Sequence, residues 1–435
     1  MSDPSANVNQ LVDHLFRQEA GRMVAILTRL FGIHNLELAE DILQDTLQQA
    51  LKDWSLGGIP GNPPGWLMVV ARRKAINAIR REKFYRSFAP DMDALLKSEW
   101  TAAYAIDNIF LEDEIKDSQL RMMFTCCHPA LPPEAQIALT LKTLCGFSIP
   151  EIGTALLTSE ANISKRLYRA KEKIRSEQIG FSVPSGKELI ERLDSVLLVI
   201  YLLFNEGYNS ASDRLTIRKD LCLEAMRLAR LLMDTDLIRG YSSVYALLAL
   251  MCFHAARFDA RMDSNNELIV LEDQDRNRWD KDLIQQGVGF LLQSASGNTA
   301  THYHLEAAIA SEHCLAPDFQ QTNWNRIHGY YSALEKLKPS PVIKLNLAII
   351  AGKRESPEAA ICLLQELKQY KALEGSYLLY ASLGEYYFQS GKNEEAQNHF
   401  QYAKRLVRSP AILELLQRKI NKCDSGCENK LSGAE

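Results

Sequence analysis

The sequence predicts an all-α protein made of two small helical domains followed by a larger helical array. Three observations predict it. Apolar residues recur every three or four positions along most of the chain. A length of 435 residues exceeds one compact domain and points to two or three. Near the C-terminus, small and aromatic residues alternate in the manner of a repeated helical hairpin.

The first helix covers Val8–Phe31, with Val8, Leu11, Val12, Leu15, Phe16, Met23, Ile26, Leu27 and Leu30 on one stripe. A second, Glu37–Trp54, repeats the pattern with Leu38, Ile42, Leu43, Leu47, Ala50, Leu51 and Trp54. The stretch Ser55–Gly65 holds four glycines and three prolines and must be a loop. Pro63 and Pro64 suit the start of the next helix, about 65–83. That helix turns Trp66, Val69, Val70, Ala75, Ile76 and Ile79 toward a core. Arg72, Arg73, Lys74, Asn77, Arg80 and Arg81 take the other faces. Residues 8–86 thus form one small domain, and 87–117 an acidic linker with partial helix.

The second small domain spans 118–178 and contains a helix-turn-helix pattern. Ser148-Ile-Pro-Glu151 reads as a capping box opening a helix over 149–157. Thr158 or Ser159 caps the next helix, whose Ile163, Leu167 and Ala170 face inward. Ser159, Glu160, Asn162, Ser164, Lys165, Arg166 and Arg169 lie where such motifs meet the major groove. A helical hairpin with solvated charges is the competing explanation for these residues taken alone. Residues 186–412 form the larger helical domain. Within it, Leu383, Gly384, Tyr387, Gly391, Ala396, Phe400 and Ala403 follow tetratricopeptide (TPR) spacing, with a weaker unit around Leu347, Ala348, Ala359 and Ala360. Residues 413–435 read as a flexible polar tail.

Net charge is only −4, which argues against indiscriminate nucleic-acid binding, but its distribution is uneven. Residues 64–86 hold seven Lys/Arg against one acid, and 160–175 six against two. Residues 89–117 hold eight Asp/Glu against two Lys. Two separated basic helices imply a chain that grips DNA at two places. The nine cysteines show no disulfide or metal framework and read as reduced thiols. No signal region opens the chain, and its longest apolar run, Val196–Phe204, is too short to span a bilayer. The expectation is a cytoplasmic protein with no membrane insertion. Neither a phosphate loop, a nucleophile elbow nor a metal-ligand set is present, so the sequence points to no enzyme, cofactor or metal.

Several motifs resemble the extracytoplasmic-function (ECF) group of bacterial RNA polymerase sigma factors. Ala39-Glu-Asp-Ile-Leu-Gln-Asp-Thr46 with Trp54 looks like their region 2.2, and Trp66–Arg81 like regions 2.3 to 2.4. Leu131–Leu139, Glu151-Ile152 and Ser159–Lys171 look like region 4. Leu120–Leu131, Leu202–Tyr208, Asp273–Asp280 and Pro339–Pro341 resemble the subgroup with a C-terminal TPR-like extension. Lys74 and Asn77 stand where the family commonly has Asn and Asp, and Ala161-Asn162 replaces Gly-Thr, so base preferences do not carry over.

The resemblance implies a fold of two sigma domains, region 2 and the region 4 helix-turn-helix, plus a TPR-like domain. It implies a factor that binds core RNA polymerase at the β′ clamp helices and the β subunit, through Glu40, Asp41, Gln44 and Asp45. It places promoter DNA at the −10 element against Asn62 and the basic helix, and at the −35 element against the recognition helix. It also implies that the acidic linker threads the RNA-exit path, mimicking RNA phosphates; a solvated spacer is the alternative. The alternative function is a helix-turn-helix/TPR regulator that forms no holoenzyme. In the C-terminal domain Asn205, Glu206, Asp275, Arg276, Trp279, Asp280, His302, His304 and Trp324 are candidates for a protein or ligand site. Mutually satisfied buried polar groups explain them equally well.

Overall fold

The computed structural model describes residues 4–82, 108–156, 158–208, 218–235, 238, 240–263, 267–297 and 299–431. They form an all-α protein: the described residues contain no strand, only an isolated antiparallel bridge between Met262 and Leu268. The chain forms two compact units, Met1–Leu203 and Phe204–Glu435.

The first unit begins with α1 (Pro4–Phe31), α2 (Leu36–Gly57) and α3 (Pro63–Glu82). Their shared core holds Met23, Ile26, Leu27, Leu30 and Phe31 of α1 with Ala39, Ile42, Ala50 and Trp54 of α2. From α3 come Leu67, Ala71, Ala75 and Ile79. Burying each large side chain of this set contributes roughly 1.5–3 kcal/mol. The inward stripe of α3 therefore differs from the expected one. Its period-four row includes Leu67 and Ala71, whose alanines permit close packing, and Val69 is left 45% exposed.

The next helix, α4 (Glu112–Cys126), starts inside the segment expected to be linker. Glu112, Asp113 and Glu114 occupy its first turn, where the helix dipole favours acids. Arg22 of α1 pairs with Glu112, and Arg29 with Glu114 and Asp117. The acids at the start of α4 thus bind α1 at the surface, while linker residues 83–107 lie outside the described residues. Next come α5 (Pro133–Thr143), α6 (Ile149–Ala155) and α7 (Glu160–Ser176). Gly21 lets α1 approach the end of α5: a Cβ there would lie 2.0 Å from the Leu144 carbonyl oxygen. Cys126 and Cys127 lie buried against Thr143 and Thr140, and burial pushes the Cys127 thiol up to about 12. In α8 (Gly186–Tyr208), buried Arg192 donates to the Phe124 carbonyl at 2.7 Å.

The second unit holds α9 (Lys219–Met233), α10 (Ser242–Ala255), α11 (Lys281–Ser294) and α12 (His302–Leu315). Helix α10 is apolar almost all round and packs on α9, α11 and α12. Then follow α13 (Trp324–Leu337), α14 (Pro341–Arg354), α15 (Pro357–Glu366), α16 (Tyr377–Gln389), α17 (Asn393–Arg405) and α18 (Pro410–Leu431). From α13 onward each helix packs chiefly on its chain neighbours, the TPR-like arrangement of stacked hairpins. The repeat read near the C-terminus is the α16–α17 pair. Leu383, Ala396, Phe400 and Ala403 are buried, and a Cβ on Gly384 would lie 2.7 Å from the Phe400 ring. Gly391 turns between the helices at φ 74°.

The segment expected to be a flexible tail is helical instead, to Leu431. Leu416, Ile420 and Cys423 recur at helical spacing and cover Ala396, Phe400 and Ala403. Among the described residues, no helix is long and apolar enough to cross a membrane.

Candidate nucleic-acid interface

Two helices of the first unit present basic faces. On α7 the hydrophobic row Ile163, Leu167, Ala170 and Ile174 is buried. Ser159, Glu160, Asn162, Ser164, Lys165 and Arg169 are exposed, and Arg166 is half-buried. Helix geometry explains the split, since residues three and four apart share a face. The preceding turn is fixed by caps. The Glu151 carboxylate accepts from the Ser148 amide at 2.8 Å, and Ser148 Oγ accepts from the Glu151 amide at 3.4 Å. Ser159 Oγ accepts from the Asn162 amide at 3.3 Å, and Asn162 Nδ2 donates to Thr158 Oγ1 at 3.2 Å. The first helix of the motif ends at Ala155, two residues before its expected end.

Tyr168 is an exposed aromatic that sequence reasoning passed over; it stands 64% exposed between Leu167 and Arg169. Its signal was available: it falls off the Ile163–Leu167–Ala170 row, on a helix whose outer face is cationic. An aromatic there adds a surface for stacking or sugar contact.

On α3, Arg73 and Asn77 are exposed, while Arg72 and Lys74 are half-buried at the edges of the core stripe. The side chains of Arg80 and Arg81 lie outside the described residues. The loop before α3 is open. Gly58 takes φ 79°, and a Cβ on Gly57, Gly58 or Gly61 would meet nothing within 4 Å. Leu56 is 92% exposed beside it. Beneath, Trp54 meets Trp66 edge-on at 5.4 Å. Asn62 is exposed and structural at once: its Oδ1 accepts from the Gly65 amide at 3.1 Å, holding the first turn of α3. Its amide nitrogen also lies close to Gly65, where a Cβ would come within 2.7 Å of it.

The four acidic and amide candidates on α2 do not behave alike. Asp41, Gln44 and Asp45 are exposed. Glu40 is paired with Lys171 of α7 at 2.8 Å, with side chains only 20% and 17% exposed. The structure therefore joins a residue of the expected polymerase face to the expected recognition helix, a contact that no local pattern announces.

Two stretches of the chain match family models, Sigma-70 region 2 over residues 15–85 and Sigma-70 region 4 over 121–174. The chain carries sigma-70 regions 2 and 4 and is similar to ECF RNA polymerase sigma factors. The ECF RNA polymerase sigma factor SigE of Mycolicibacterium smegmatis is 28% identical over 168 residues, 38% of this chain and 60% of SigE. The RNA polymerase sigma factor CarQ of Myxococcus xanthus is 29% identical over 168 residues, 38% of this chain and 86% of CarQ. An uncharacterized protein of Rhizobium meliloti is 36% identical over 371 residues, covering 85% of this chain and 86% of its own length. Residues 192–295 match a family of unknown function, DUF6596. A solved TPR domain of P58(IPK) covers 90% of this chain at 12% identity with a TM-score of 0.26, too slight a likeness to bear on the fold.

Beyond the sigma regions, several C-terminal candidates are structural. Asp275 Oδ1 accepts from the Asn277 amide at 2.9 Å, and Asp280 Oδ1 caps α11 by accepting from the Leu283 amide at 3.0 Å. His304 Nδ1 accepts from the Thr301 amide at 3.1 Å, a capping box at the start of α12. Asn205 and Glu206 are half-buried, and burial holds the Glu206 carboxyl above the usual range. Trp279 is buried, and Trp324 meets His313 edge-on at 5.5 Å. His302 and His304 belong to no group of three or more metal-ligating side chains among the described residues.

Proposed function

We propose that this sigma factor binds core RNA polymerase through the exposed face of α2 and reads a promoter at two places. Asp41, Gln44 and Asp45 meet the β′ clamp helices, with Glu40 joining once Lys171 releases it, and the holoenzyme also contacts the β subunit. The loop 58–62 accepts an unpaired base of the −10 element, at an unstacking cost of a few kcal/mol. Arg72, Arg73, Lys74, Asn77, Arg80 and Arg81 hold the neighbouring strand, and Asn62 lines the loop. Helix α7 reads the −35 duplex with Ser159, Glu160, Asn162, Ser164, Lys165, Arg166 and Arg169.

One observation carries the reading: α7 buries Ile163, Leu167, Ala170 and Ile174 and leaves Ser159, Asn162, Lys165 and Arg169 outward on a turn fixed by two caps. A rigid outward row of that composition positions on phosphate and reads base edges. The domain plan proposed with it is region 2 over 8–86, a linker over 87–117 whose last residues, from Glu112, already belong to α4, region 4 over 118–178 and the TPR-like domain over 186–412.

Run-off transcription with purified core polymerase on a library of promoter fragments tests it. The full chain directs initiation from a defined subset, and the Lys165→Ala/Arg169→Ala variant loses it. Promoter binding without core polymerase, and no initiation with it, would instead establish a helix-turn-helix regulator that forms no holoenzyme.

A further inference from the structure

We infer that the second unit holds an oxyanion site, formed by Arg257, Arg261 and Arg276 around the imidazoles of His254 and His313, for a small ligand bearing a phosphate or carboxylate group. The inference goes beyond the sigma-factor reading and does not rest on it.

The residues come from elements distant in sequence. His254 ends α10, His313 lies in the last turn of α12, and Arg276 opens the short 3-10 turn Arg276–Arg278. Aromatic faces hold the guanidiniums: Arg261 lies 3.8 Å over Tyr208, and Arg257 and Arg276 lie 5.5 and 4.5 Å over Trp279. Tyr208 in turn sits 4.7 Å from the His254 ring, and Arg257 acts electrostatically on both imidazoles, with Arg261 on His254 and Arg276 on His313, which ties the two halves together. Stacking fixes the plane of a guanidinium and leaves its N–H edge for bidentate contact with an oxyanion.

Bracing accounts for part of this arrangement. Arg261 donates to the Tyr208 carbonyl at 2.9 Å, and Arg276 to the carbonyls of His313 and Ala316, all at helix ends. Arg257 donates to Gln274 Oε1 at 3.1 Å. Two facts remain. Among the described residues none of the three arginines is ion-paired with a carboxylate, whereas Arg218, Arg227 and Arg326 of the same unit take Asp220, Glu224 and Glu312. Asp318, which Arg276 influences, is exposed and held by Gln321.

The second fact is that Arg276 Nη2, Trp279 Nε1, His254 Nδ1 and His313 Nδ1 are all buried without a hydrogen-bond partner. Buried polar groups without partners are rare and costly. Burial, with Arg257 and Arg261 adding to it, holds the His254 imidazole down at about 3, so the ring is neutral and adds no negative charge beside the three half-buried arginines. Water would satisfy the nitrogens but not the charge. An oxyanion supplies acceptors to the free donors and negative charge to the cluster together.

The test is isothermal titration and tryptophan fluorescence of the full chain with inorganic phosphate and, separately, with glutarate at matched ionic strength. Saturable one-site binding of either probe is expected. Phosphate alone saturating marks a phosphate-bearing ligand, and glutarate alone a carboxylate; both support the site. Arg257→Gln, which leaves the helix-end contacts of Arg261 and Arg276 in place, is expected to weaken binding about tenfold or more. Arg257→Lys should weaken it less, and Arg326→Gln, outside the cluster, not at all. No saturation by either probe, or equal affinity in the folded Arg257→Gln variant and the parent chain, overturns the proposal.

Discussion

Replacing Lys171 with Met should loosen region 4 from region 2. The ion pair it forms with Glu40 spans 2.8 Å, and both side chains are about four-fifths covered. At that separation the gross attraction is about 6 kcal/mol for an effective dielectric near 20. Desolvation of both ions removes most of it, and a pair between surface and core nets about 1–2 kcal/mol. The variant also leaves the Glu40 carboxylate covered without its cation, and its Oε1 already has no hydrogen-bond partner. The closed arrangement should therefore lose roughly five- to thirtyfold in population. Hydrogen exchange read over Ile33–Glu40 and over α7 checks this in the full chain. Both segments should exchange faster in Lys171→Met, and the charge-swapped double variant, Glu40→Lys with Lys171→Glu, should restore protection. If core polymerase selects the opened form, its affinity for Lys171→Met rises by the same factor. Unchanged exchange in a folded Lys171→Met variant would refute the idea that this pair holds the two regions together.

Gly21→Ala places a methyl 2.0 Å from the Leu144 carbonyl oxygen; it should destabilise the first unit by about 1–3 kcal/mol in urea melts, and an unshifted midpoint would mean α1 can move away freely. Arg169→Ala should lower the salt slope of holoenzyme binding to promoter DNA by about one unit in log–log form, measured from 50 to 200 mM salt, without changing which promoters are chosen. His254 and His313 are held at about 3 and 4 by burial first and then by nearby arginines. Unfolding lets both rise to their ordinary value near 6.5, so the unfolded chain binds more protons below that pH and stability falls as pH drops from about 6.5 toward 4. Each contributes up to about 1.4 kcal/mol per pH unit to that slope, and His254→Gln should flatten it in melts compared between pH 7 and 5.

Much of this fold is readable in the sequence because its rules are local. The capping box at Ser148–Glu151 and the row Ile163–Leu167–Ala170 depend only on spacing, and the structure realises both. Gly384 against Phe400 is a repeat signature for the same reason. The misses share another cause. Val69 looked inward because valine is apolar, but Leu67, Ala71 and Ala75 offered a closer packing row on the same helix. The acids at 112–117 looked like spacer because their partners, Arg22 and Arg29, lie about ninety positions earlier. Leu416, Ile420 and Cys423 were hidden among polar neighbours, and their core is supplied by α17. The Glu40–Lys171 pair and the arginine cluster around His254 are likewise products of tertiary contact. Charge patterns show which residues are available; which ones meet is decided by the fold.

The close approach of α1 to the end of α5 at Gly21 has a consequence on the scale of a promoter. A compact body of 203 residues has a radius of gyration of about 17 Å, or roughly 43 Å across. Two elements centred about 25 base pairs apart on B-form DNA are separated by roughly 85 Å. A body half that width cannot touch both at once, so simultaneous grip requires region 2 and region 4 to part. Covalent geometry limits how far. Between Glu82 and Asn108 the chain takes 26 steps, a reach of at most about 86–94 Å. Since each region also spans part of the distance with its own width, covalent geometry permits both elements to be held at once after the two regions part, whereas the closed body does not.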